Sequence, residues 1–299
     1  MSYMNFFEYR AKRRVKYPTV VVTSGGTSVY IDQVRKITNS SSGKLGSVIA
    51  NELVKKFKRK VNVIYIHSRK AVMPKKCKSI YPIKADTVEE VDTALNSILI
   101  DKYGKPEQIK AVIHAMAISD YTLDYVTTVD KFADSLKRKR VLTSSKISHF
   151  LKKPSEDIKF KEKKISSSEE DLLIRLKPTP KIINTIKKLN PNTLLIGFKL
   201  LTNARQTDVE AAIEKLFTTA SCDFVLYNDK YHITPIAHYA TLYSNQTNSD
   251  NSKQLIKEFR TKKDIGKGLA ALIANPENFI TTEHQNMGFT EELVNRNKE

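Results

Sequence analysis

The sequence predicts an α/β fold: a doubly wound, mostly parallel Rossmann-like sheet with helices on both faces and a basic flap insert. Two observations carry that expectation. Short apolar, β-branched runs alternate along the chain with segments whose apolar residues recur at helical spacing. The first such run, "TVVVTSGG" (19–26), ends in a glycine pair. Its loop then lies at the carboxyl end of a strand, where open α/β sheets receive their ligands.

Each element follows from its local pattern. "GKLGSVIANELVKKF" reads as a helix after the glycine-rich loop, with Ser41 or Ser42 as its N-cap. "VNVIYIHS" is a second strand, "TVEEVDTALNSILID" a helix, and "AVIHAMAISDY" a third strand ending in polar residues. From Val126 to Glu170 the pattern breaks into a Lys/Arg-rich stretch almost free of strand signal, expected as either a disordered insert or a lid over an anionic ligand. Structure resumes with "DLLIRL" as a strand and "PTPKIINTIKKL" as a helix opening near a proline. "TLLIGFKL", "CDFVLYND" and "ATLYS" are strands, "TDVEAAIEKLFTTA" and "KKDIGKGLAALIA" helices, and "QTNSDNS" a polar loop. This gives one domain over 18–274, with its flap at about 126–170, a basic extension over 1–17 and a tail over 275–299.

Composition narrows the function classes. The 51 Lys and Arg against 32 Asp and Glu leave a formal charge of +19, which favours anionic partners: nucleic acid, phosphorylated metabolites or a membrane surface. Solvated basic faces account equally well for much of it. Cys77 and Cys222 stand in no CxxC or histidine-paired spacing, so they are read as reduced and structural, which fits a cytoplasmic protein. No apolar run approaches the roughly 20 residues of a membrane span, and the N-terminus lacks a signal-peptide core. The six histidines are scattered, with no helical HxxxH pair. No RRM, KH, helix-turn-helix or zinc pattern supports nucleic-acid binding. A short-chain NAD(P) oxidoreductase would need GxxxGxG after the first strand, and that spacing is missing.

The stretch "TSGGTSVYIDQVRKITNSSSGKLGSVIANEL" (23–53) holds four of the nine glycines. A glycine-rich loop entering a helix lets backbone amides approach a phosphate, and the helix dipole favours the negative charge. The spacing is neither GxGxxG nor GxxxxGK[ST], so alone it supports anion binding only in general terms. In combination it is specific. "IDQVRKITNSSSGKLG", "AMAISDY", "KKISSSEEDLLIRLKPTPKII" and "IGFKL" occur in this order. Together they resemble the phosphopantothenoylcysteine synthetase family, the ligase of coenzyme A biosynthesis, over about 18–274, with the basic insert and both termini outside.

The resemblance implies a homodimeric doubly wound domain and a two-step ligation, with small molecules rather than nucleic acid or membrane as partners. The carboxylate of 4′-phosphopantothenate attacks the α-phosphorus of CTP or ATP, with Mg2+, and pyrophosphate leaves. The amine of L-cysteine then displaces the nucleotide from the acyl-nucleotide. No protein nucleophile is required, so positioning and electrostatics do the work. The resemblance assigns Asn39 to the reacting acyl group and Lys164 to the triphosphate, with Lys163 the alternative register. It assigns Arg35, Ala117 and Asp120 to phosphopantothenate, and Gly25, Gly26, Ser41, Gly43, Gly46, Phe198 and Asn228 to the nucleotide. Asn39 could instead brace its loop, Arg35 be a surface cation, Asp120 cap a turn, and Phe198 belong to the core. The matching region starts near the first residue, which implies the stand-alone form without a flavin-dependent decarboxylase. The short form with "KISS" is similar to bacterial members, which implies CTP. Three departures stand out: Tyr30 in place of proline, Met116 in place of alanine beside the pantothenate arm, and Leu201 in place of a glutamate.

Overall fold

The computed structural model describes residues 17–100, 109–140, 143–156, 159, 164–169, 171–234, 236–248 and 252–279. Residues 1–16, Lys163 and 280–299 lie outside the described residues, and with them nearly all of the expected N-terminal extension and most of the tail. In chain order the strands are β1 (Thr19–Ser24), β2 (Ser28–Tyr30), β3 (Lys36–Thr38), β4 (Asn62–His67), β5 (Ile80–Lys84) and β6 (Ile109–His114). They continue as β7 (Tyr121–Thr128), β8 (Leu172–Pro178), β9 (Leu194–Leu201), β10 (Phe224–Asp229), β11 (Ala240–Thr247) and β12 (Lys253–Phe259). The helices are α1 (Lys44–Lys56), α2 (Val88–Leu99), α3 (Val129–Arg138), α4 (Ser144–Lys152), α5 (Ile183–Leu189), α6 (Gln206–Ala220) and α7 (Lys262–Ala274).

The central sheet runs β5-β4-β1-β6-β9-β10-β11-β12. From β5 to β10 neighbours are parallel, and β11 and β12 close the edge antiparallel. This is the doubly wound order, with the winding reversing between β1 and β6. The crevice outside their carboxyl ends is therefore the place for a ligand. The alternation of side chains along β1 sorts the core into two layers. Val21 shares one layer with Ile64, Val112, Leu95, Ile186 and Ile213, beneath α2, α5 and α6. Val20 and Val22 share the other with Tyr65, Ile113, Ile49, Leu53 and Leu269, beneath α1 and α7.

Several expectations are corrected. Helix α1 is capped by Gly43 in the left-handed region (φ 69°), not by Ser41 or Ser42; Ser24 Oγ donates to the Gly43 carbonyl at 2.9 Å, so a tertiary contact sets the start of the helix. Strand β6 stops at His114, and "AMAISD" is loop. The segment from Val126 is not without structure: β7 pairs antiparallel with β8, and α3 and α4 follow β7. Charge concealed them, but Thr128 Oγ1 accepts the Lys131 amide at 3.2 Å and Thr143 Oγ1 the Lys146 amide at 3.4 Å. Phe132 meets the buried Phe150 with ring centroids 5.5 Å apart, which joins the two helices. Strand β5 went unforeseen because it contains Pro82, tolerated at a sheet edge.

Candidate active site

The site is built where the loops leaving β1 and β6 are stitched together. The Thr27 amide donates to the Ala117 carbonyl at 3.1 Å, and the Ala117 amide to the Gly25 carbonyl at 2.9 Å. Beneath them Thr27 Oγ1 accepts the Ser119 amide at 2.8 Å and donates to Ser119 Oγ at 3.0 Å. Thr179 Oγ1 donates to the Ser119 carbonyl at 2.6 Å, which brings the "TPKII" segment to the same floor. Thr27, Ser119 and Thr179 are all buried and all satisfied within the protein. All three lie inside the sequence motifs, where nothing in the sequence alone gives them a part.

The concentration of glycine has a direct cause here. Gly25 adopts φ 92°, and a Cβ on it would lie 2.2 Å from Ser68 Oγ. A Cβ on Gly26 would lie 2.3 Å from the Asn39 carbonyl oxygen. Three loops approach so closely that their own atoms fill the space a side chain would need. Ser24 joins this packing, with Tyr65 Oη 2.8 Å from Ser24 Oγ and 2.7 Å from the Val72 carbonyl. The result places the N-terminus of α1, which has no side-chain cap and no acidic residue in its first turn, beside the loop. Such a helix end favours an anion.

Asn39 is where two motifs meet. Its amide Nδ2 donates to the Ala117 carbonyl at 3.1 Å, while its backbone amide donates to the Thr27 carbonyl at 3.2 Å. It therefore does brace the loop, as the plainer reading had it. A carboxamide nitrogen carries two protons, so one N–H remains for a ligand.

From Asn39 the β2–β3 ribbon projects outward, and Arg35 stands at its turn. Arg35 Nη1 donates to Asp32 Oδ2 at 3.0 Å and to the Ile165 carbonyl at 3.3 Å. The Arg35 and Val34 amides that donate to Asp32 hold its carboxyl below the ordinary value. Lys164, next to the anchored Ile165, is exposed. Tyr30 donates to Asp86 at 3.2 Å, with Lys36 Nζ 5.4 Å from its ring centroid, so this departure stiffens the ribbon by another route.

The remaining assignments separate. Asp120 is exposed and ion-paired to Lys181, a cation of the "TPKII" block that had gone unassigned. Met116 is buried in the core, so its bulk does not crowd the crevice, and Leu201 packs against that same core layer. Phe198 is half-buried against the other layer. Asn228, buried at the end of β10, has Nδ2 3.3 Å from His238 Nε2. Burial pushes His238 down to about 4, as it does His114, whose Nδ1 lies 3.2 Å from Thr23 Oγ1 on the crevice floor. Both rings are neutral at physiological pH.

The family description of the DNA/pantothenate metabolism flavoprotein C-terminal domain matches residues 15–154 and 153–276. The chain belongs to this family. The family match runs through the basic segment that the four motifs had left out. The coenzyme A biosynthesis bifunctional protein CoaBC of Thermococcus kodakarensis is 32% identical over 209 residues, 70% of this chain and 40% of that protein. Its namesake in Methanocaldococcus jannaschii is 24% identical over 210 residues, with the same shares covered. The chain thus spans about two fifths of the length of these curated relatives. Among solved structures, the DNA/pantothenate metabolism flavoprotein from Streptococcus pneumoniae superposes with a TM-score of 0.70 at 29% identity, over 87% of this chain and all of that one. A Cab2 variant in complex with phosphopantothenate-cysteine gives 0.57 at 15% identity, over 92% and 91%, a likeness of fold.

Proposed function

We propose that this chain is a carbon–nitrogen ligase of coenzyme A biosynthesis, joining 4′-phosphopantothenate to L-cysteine through an acyl-nucleotide. The observation that carries the reading is the Asn39–Ala117 hydrogen bond at the point where the sheet reverses. It unites two motifs, far apart in sequence, on which the resemblance rests. The names of the CoaBC relatives and the ligand of the Cab2 complex agree with that chemistry.

In this reading the phosphopantothenate carboxylate attacks the α-phosphorus of the nucleotide, and pyrophosphate departs. Lys164 and the N-terminus of α1, with the amides around Gly25, Gly26, Ser41, Gly43 and Gly46, oppose the charge of the triphosphate. Arg35 receives the phosphate of phosphopantothenate, and Ala117 and Asp120 border its arm. The free N–H of Asn39 then meets the oxyanion formed as cysteine attacks, and a neutral donor at that place attracts it without trapping it. Phe198 and Asn228 hold the base.

CTP is the proposed nucleotide, with ATP the alternative. Mg2+ would ride on the triphosphate oxygens, the usual manner for this ion; among the described residues no three His, Cys, Asp or Glu side chains gather to cage it. The homodimer is proposed on the arm of β7 and β8, which exposes Tyr121, Ile174 and Leu176. Among the described residues no helix is long and apolar enough to cross a membrane, and the proposed location is the cytoplasm. The decisive assay measures pyrophosphate release with each of the four nucleoside triphosphates, with and without phosphopantothenate. Release that requires both, and is fastest with CTP, is the expected result. Release independent of phosphopantothenate would overturn the reading.

A further inference from the structure

We infer that Asp32 is a positioning residue for both cations of this site, one carboxylate fixing Arg35 and the main chain that carries Lys164. The inference rests on the ligase reading above. Asp32 has a side chain only 1% exposed. Its Oδ1 accepts the amides of Val34 at 2.7 Å and Arg35 at 2.6 Å. Its Oδ2 accepts Arg35 Nη1 at 3.0 Å and the amide of Ile165 at 3.3 Å. Arg35 Nη1 reaches on to the Ile165 carbonyl at 3.3 Å, so carboxylate, guanidinium and the Ile165 main chain form a closed ring.

Three physical features make this more than a local turn. The partners Asp32 and Ile165 are 133 residues apart, so the contact joins two otherwise separate segments. A carboxylate beside a triphosphate site would repel its ligand, yet four donors occupy the roughly four lone-pair sites such a group offers. The electrostatic harm is muted and the geometry is kept. Ile165 itself is buried, which anchors the chain from its other side and leaves the adjacent Lys164 exposed.

The ribbon transmits this anchorage to the crevice. Strands β2 and β3 pair from Ser28↔Thr38 to Tyr30↔Lys36, and their stem is stitched to Ala117 through Thr27 and Asn39. Three paired residues span roughly 10 Å. Asp32 thus holds the flap chain at the tip of a short lever whose base carries Asn39.

The test compares Asp32→Asn, Lys164→Gln and the double variant by pre-steady-state pyrophosphate release, alongside hydrogen exchange at the Ile165 amide. Asp32→Asn should slow release by about 10²-fold, the usual consequence of displacing a catalytic group by about an ångström. It should also speed exchange at Ile165 while leaving β1 protected. Because part of the Asp32 effect passes through Lys164 and the rest through Arg35, the double variant should be slower than Lys164→Gln by much less than about 10²-fold. Fully multiplicative losses, or unchanged exchange at Ile165, would overturn the inference. If the unaltered protein released no pyrophosphate with phosphopantothenate and any nucleotide, the ligase reading would fall instead, and exchange at Ile165 would still report whether Asp32 holds the segment.

Discussion

The crevice between β1 and β6 and the arm of β7, β8, α3 and α4 are built on opposite plans. In the crevice, Thr23, Ser24, Thr27 and Ser119 are buried, and each hydroxyl is bonded to another part of the same floor. In the arm, Asp124 pairs with Arg175 and Lys177, while Tyr121, Val129 and Ile174 remain exposed. Partly exposed pairs of that kind contribute about 0–1 kcal/mol. One region is preorganised and spends its polar groups on itself; the other leaves apolar side chains exposed. Damage to the ligand-facing groups of the crevice should therefore register in chemistry, and damage to its buried floor or to the arm in stability.

The largest expected effect is on Asn39. Losing one preorganised donor to an oxyanion typically costs about 10²–10³ in rate. Asn39→Ala should release a burst of pyrophosphate, form the amide slowly and accumulate the acyl-nucleotide in rapid-quench runs. If the burst vanishes as well, Asn39 serves activation too, and its link to Ala117 is more than a brace for the second step.

That link shows how much of the molecule was legible in sequence. The long strands β1, β4, β6, β9 and β10 announce themselves because burial on both faces demands continuous apolar runs. The motif residues Asn39 and Ala117 were visible through resemblance, but their hydrogen bond was not. The ribbon escaped notice because three-residue strands carry too little periodicity to register. The tie from Asp32 to Ile165 was invisible for a different reason: it depends on tertiary placement, and neither residue type advertises it. In the arm, lysine and arginine are interspersed with the apolar residues of α3 and α4, of which only Phe150 is buried. Yet Val129, Phe132, Ala133 and Leu136 recur at helical spacing and a capping threonine precedes each helix, so the signal was present beneath the charge.

A second effect, in acid, sharpens the contrast. His114 is buried, and burial lowers it from 6.5 to about 4. The unfolded chain binds this proton near pH 6.5, whereas the folded chain refuses it until about pH 4. The stabilising contribution is thus complete above pH 6.5 and lost as pH falls toward 4, a change of about 3 kcal/mol. Urea unfolding measured across that window should show a shallower loss in His114→Gln than in the unaltered protein, with His238 still contributing in both. Equal slopes would mean that His114 takes up its proton in the folded state, and that the crevice floor is wetter than its burial indicates.

The smallest effect belongs to the arm. Thr128 ends β7 and begins α3, its Oγ1 accepting the Lys131 amide at 3.2 Å with Asp130 in the first turn. Replacing such a cap with alanine typically costs about 1 kcal/mol, because a helical N–H loses its partner. Thr128→Ala should lower unfolding stability by about that amount and leave pyrophosphate release unchanged in the variant that remains folded. The same measurement at several protein concentrations separates two accounts of the arm. If the arm only decorates the domain, the stability loss is independent of concentration. If β7 and β8 meet a second copy, loosening their junction with α3 weakens assembly too, and the deficit grows on dilution. A loss of chemistry at full stability would contradict the division between the two regions, since it would make the arm part of the catalytic apparatus.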